Sequence, residues 1–76
     1  MKVRELRAAL RAIGCTPLRC RGSHETWATP AGATLPPVVI NHLGGEASFG
    51  VVVKIVRALR SEGIELRLDG TFALAS

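Results

Sequence analysis

Three residues in this 76-residue chain could do chemistry as a group. His24 follows Gly22-Ser23, and Arg21 and Arg19 lie just before that pair. A histidine takes up and gives back protons near neutral pH, so it suits general acid or base work. Two guanidinium groups beside it would stabilise negative charge as it builds on a phosphoryl group. Together they fit the metal-free cutting of RNA. In that reaction a base deprotonates the 2′-OH, the oxygen attacks the adjacent phosphate, and an acid protonates the departing 5′-oxygen. Alone, a histidine on a turn is equally a polar surface residue.

The elements that would position these residues follow from local pattern. Gly22-Ser23 reads as a two-residue hairpin loop, with glycine supplying a positive φ. The flanking segments 15–21 and 24–29 read as antiparallel strands, the second stopped by Pro30. Counting out from the loop pairs Arg21 with His24, Cys20 with Glu25, Arg19 with Thr26 and Leu18 with Trp27. Side chains alternate between faces, so Leu18 and Trp27 are expected together in the core. Arg19, Arg21, His24 and Thr26 then share the opposite face, with His24 exposed. Cys20 and Glu25 fall on the core side, and Glu25 is expected to reach solvent at the rim.

Around the hairpin, Val3, Leu6, Leu10 and Ile13 recur at helical spacing, predicting an amphipathic helix over 3–13 that ends at Gly14. Leu35–Asn41 reads as a third strand, entered irregularly at Pro36-Pro37. Val52, Ile55, Val56 and Leu59 predict a second helix over 48–62, with Ser48 as N-cap and Gly63 as C-cap. The run Val51-Val52-Val53 prefers strand, but length and caps decide for helix. From Ile64 the apolar residues alternate around Asp69-Gly70, which reads as an extra strand or hairpin over 64–76. The expected architecture is α+β: helix, three-stranded antiparallel sheet, helix, a sandwich like the double-stranded-RNA-binding fold, plus a strand-like tail. It forms one domain over 1–76 with its core in 2–63.

Charge is unevenly spread. The chain is +4 overall. Residues 1–21 carry Lys2, Arg4, Arg7, Arg11, Arg19 and Arg21 against Glu5 alone, whereas residues 22–76 carry slightly more acid than base. Such a patch attracts polyanions, of which nucleic acid is the commonest in a cytoplasm. Cys15 and Cys20, about 16 Å apart if extended, are too distant for a disulfide, which suits a reducing compartment. Neither has a CxxC partner, so no metal site is expected. No signal peptide and no membrane-spanning run is apparent, and a cytoplasmic location is expected.

The string Arg19-x-x-Gly22-Ser23-His24-x-x-Trp27-x-x-Pro30, with Gly14 before it, resembles the signature of the HicA family of toxins, also described as YcfA-like proteins. The resemblance covers roughly residues 2–63. It implies a messenger-RNA interferase needing no cofactor, the toxin of a type II toxin–antitoxin pair. It also implies His24 as the catalytic residue and a HicB-type antitoxin as partner. The second half departs from the family pattern. Gly50-Val51-Val52-Val53-Lys54-Ile55-Val56 stands where Gly-Thr-Leu-Arg-x-Ile-Leu is common, so Lys54 takes over the charge of the missing arginine. The candidate site is therefore His24, with Arg19, Arg21, Ser23 and Lys54 as RNA contacts. His42 is a further candidate acid or base, and Ser23 is also a turn former. Two alternatives stand beside this one. The first is a non-catalytic RNA-binding module of the same fold. The second is an interaction module whose apolar tail adds a strand to a partner or to a second copy.

Overall fold

The computed structural model describes residues 1–66, and the expected strand or hairpin over 64–76 lies outside them from residue 67 on. The order is α1 (Val3–Ala12), β1 (Thr16–Arg21), β2 (His24–Ala28), β3 (Val38–Val39) and α2 (Phe49–Arg60). The three strands form one antiparallel sheet with β2 in the centre. The α+β arrangement of helix, sheet and helix is thus the one the periodicities predict.

Both helices cover the same face of the sheet. Leu6 and Leu10 of α1 and Val52, Ile55 and Leu59 of α2 share one core with Trp27 of β2 and Val38 of β3. Leu66, past the end of α2, is buried in that core. Residues 64–66 form no strand.

Helix α1 ends as its sequence requires. Gly14 has φ +92°, a conformation costly for residues with a Cβ. That turn lets the Cys15 and Gly14 amides donate to the carbonyls of Leu10 and Arg11, at 2.9 and 3.1 Å. The start of α1 is held differently. Lys2 makes no side-chain cap. Instead the Val3 and Arg4 amides donate to the Gly45 and Leu43 carbonyls, at 2.9 and 3.0 Å. A loop some forty residues downstream therefore satisfies amides that every helix leaves unpaired.

Three expectations need correction. The third strand spans two residues rather than Leu35–Asn41. Pro36 and Pro37 offer no N–H to a ladder, and ahead of them only an isolated Thr34–Ala28 bridge forms. Ser48 precedes α2 as expected but makes no side-chain cap. The hairpin register is also broken at Leu18. Pro17, not Leu18, stands opposite Trp27, and the ladder shifts between Pro17 and Arg19. Leu18 is consequently 51% exposed rather than in the core, while Trp27 is fully buried. β1 lies at the sheet edge, where a residue without an N–H and an extra unpaired residue are both tolerated.

Candidate functional site

The site is built outward from the turn. Gly22 takes φ +58°, so the chain reverses over Gly22 and Ser23. The Ser23 carbonyl accepts the Ile40 amide at 2.7 Å, which fastens the turn to the far side of β2. Between turn and bulge the pairing runs in the expected register: Arg21 with His24, Cys20 with Glu25 and Arg19 with Thr26. Directly opposed residues share a face with Cβ atoms about 5 Å apart. Arg21 therefore sits beside His24 on the sheet face away from the helices. Arg19 occupies the next pair along. His24, Arg19 and Arg21 are all exposed. On the other side of His24 stands Val39, its partner in β3 and 45% exposed.

Thr26 belongs to this face by register but is buried. Ser23, at the turn, is half-buried. Lys54 does not join the group. It is exposed on α2, which packs on the Trp27 side of the sheet. His42 is exposed in the loop after β3. With Val39, Asn41, Ser48 and Val51 it lines a groove of about 330 Å³ at the β3 edge.

The face behind His24 is tied down. Glu25 is 7% exposed, not solvated at the rim. Its carboxylate accepts the Arg7 Nε and Nη2 at 2.8 and 3.1 Å and the Trp27 Nε1 at 2.7 Å. Burial pushes the carboxyl up. The hydrogen bonds from Arg7 and Trp27, with the charges of Arg7 and Arg11, outweigh burial and hold it below the ordinary carboxylate range. The Arg11 guanidinium lies 5.5 Å from the Trp27 ring centroid, a cation–π distance. Two of the four cations of residues 2–11 are thus engaged with buried groups of β2, Arg7 half-buried and Arg11 exposed. The signal lay in Glu25 and Trp27 sharing a face at i, i+2 beneath the helix.

Both cysteines are free. Cys15 is buried, and burial followed by the nearby Glu62 charge pushes its thiol up, away from reactivity. Cys20 is exposed at the sheet edge rather than held in the core as its parity predicts, and its Sγ donates to the Gly22 carbonyl at 3.3 Å. Among the described residues, no three His, Cys, Asp or Glu side chains cluster as metal ligands. None of the helices in those residues is long and apolar enough to cross a membrane. Comparison of the chain with protein-family models, curated proteins and solved structures found no match.

Proposed function

We propose that this chain is a metal-independent endoribonuclease, a HicA-like messenger-RNA interferase acting in the cytoplasm and blocked by a HicB-type antitoxin. The observation that carries this reading is the pairing of Arg21 with His24 on an open sheet face, with Arg19 one pair further along. RNA laid across that face meets cations at its phosphate and an imidazole at the same point. The 2′-oxygen attacks phosphorus and the bond to the 5′-oxygen breaks. The proton lost by the 2′-OH is matched by one delivered to the leaving oxygen, leaving a 2′,3′-cyclic phosphate and a 5′-hydroxyl. His24 serves one of these proton transfers, a role worth about 10²- to 10⁴-fold in rate. Arg19 and Arg21 stabilise the charge on phosphorus. Ser23 keeps the turn in place.

Expression of the wild type is expected to arrest growth. His24→Ala should relieve the arrest, lower RNA cleavage by about 10²- to 10⁴-fold and leave the circular dichroism spectrum unchanged. Equal toxicity of the two proteins would overturn the reading.

A second reading, an RNA-binding module without catalysis, is favoured by one observation. On the β1–β2 face of His24 stands no second described histidine or carboxylate, since Glu25 is turned to the core and bound there. Salt-sensitive RNA binding with no cleavage at any protein concentration would select it.

A further inference from the structure

The cations of the two helices are used differently. In α1, Arg7 is spent on Glu25 and Arg11 lies over Trp27. In α2, Lys54, Arg57 and Arg60 are all exposed. Among the described residues none of these three side chains has an ion pair or hydrogen bond. They stand at i, i+3 and i+6, so successive ones are about 60° apart and the three wind as a stripe about 9 Å long over the side of α2 left free by Val52, Ile55, Val56 and Leu59. No acidic residue occurs anywhere in Phe49–Arg60. Like charges one turn apart repel, which costs the free protein stability. The negative end of the helix dipole offsets this for Arg57 and Arg60, in the last turn, but not for Lys54 at mid-helix.

We propose that this stripe is a second RNA-backbone contact, separate from the His24 face and reached only by RNA long enough to bend round the sheet edge. The proposal rests on the reading of the chain as an RNA-acting protein and names its substrate class: extended RNA rather than a fragment of a few nucleotides. The stripe lies on the outer surface of a helix that packs on one side of the sheet, whereas His24 lies on the other. The body of the sheet lies between the two, so a short oligonucleotide seated at the turn leaves α2 untouched. Neutralised phosphates release counterions, and each contact adds about 0.7 to the slope of log affinity against log salt for a single strand.

The test compares RNAs of about thirty and about five nucleotides by fluorescence anisotropy over about 0.05 to 0.3 M KCl, on a His24→Ala background that leaves the RNA uncut. The triple variant Lys54→Gln, Arg57→Gln, Arg60→Gln should bind the long RNA about ten- to a hundredfold more weakly at 0.1 M salt, with a slope shallower by about 2. Its affinity for the short RNA should not change. Exchanging the charges like for like (Lys54→Arg, Arg57→Lys, Arg60→Lys) should restore the long-RNA affinity. With His24 present, the triple variant should raise KM on long RNA and leave kcat alone. An unchanged affinity and slope on long RNA overturns the stripe, even if His24 proves catalytic and an acidic protein segment binds α2 instead. Equal loss on the short RNA overturns it too. Long-RNA binding that depends on the stripe, in a protein that never cleaves, overturns the catalytic reading and not this one.

Discussion

The two faces of β2 are held in opposite ways. His24 projects from an open surface between Arg21 and Val39, and its imidazole meets solvent. Glu25, the next residue, is buried beneath α1 and grips both Arg7 and the Trp27 indole. Strand alternation makes this possible, because successive side chains leave the backbone in opposite directions. The strand that presents the imidazole is thus anchored from behind by groups on the opposite face of the sheet. On the proposed reading, stability and chemistry are carried by adjacent residues, and substitutions should separate them.

The largest effect is expected on the anchored face. Trp27→Ala should cost about 3–5 kcal/mol. A domain of this length has about 4–11 kcal/mol in total, so urea denaturation should find the variant close to unfolded. A loss under about 1 kcal/mol would mean that the indole is not the centre of this core.

A smaller loss follows for the carboxylate. Glu25→Gln should cost about 2 kcal/mol at neutral pH by weakening the hydrogen bonds that Arg7 and Trp27 make to a charged acceptor. The sign of its pH dependence is fixed. The folded pKa of Glu25 is depressed, so its stabilisation is fully present above the unfolded carboxylate value. It is lost as pH falls through the lower folded value. The gap between wild type and variant, followed by thermal unfolding, should close as pH drops below about 4.3. Glu46 is also held down, by its hydrogen bond to the Met1 amino group, but it titrates in both proteins and cancels in the comparison. A gap that widens on acidification would contradict the burial of an ionised Glu25.

The smallest effect is expected at the bulge. Leu18→Ser should change stability by no more than about 0.5 kcal/mol, because the side chain contributes little to the core. A regular ladder with Leu18 against Trp27 would instead lose several times that amount, so chemical denaturation of this one variant distinguishes the two registers.

The same residues show what the sequence could tell. The Arg21–His24 pairing was legible because Gly22-Ser23 fixes a short turn and the count outward is local. The count failed one step past Arg19, at the edge position where Pro17 withholds its N–H. Pro17 was the available warning. Pro36-Pro37 warned in the same way of a shortened β3. The Arg7–Glu25 clasp was not legible, since it joins residues eighteen positions apart on different elements. A helical wheel places Lys54 off the buried side of its helix but does not say which face of the sheet that helix covers. For that reason Lys54 parted from the group in which the family resemblance had placed it.

The carbonyls that complete the start of α1 have a consequence for the order of assembly. Val3 and Arg4 find their acceptors at Gly45 and Leu43, so the first turn of the helix closes only when a loop of about forty residues has closed around it. The His24 hairpin lies inside that loop. A chain emerging from the ribosome exposes α1 before the strands, yet it cannot seal that helix until β3 and the segment beyond it have followed. Contacts so distant in sequence slow folding. The start of α1 is therefore completed late, when most of the described chain is already in place.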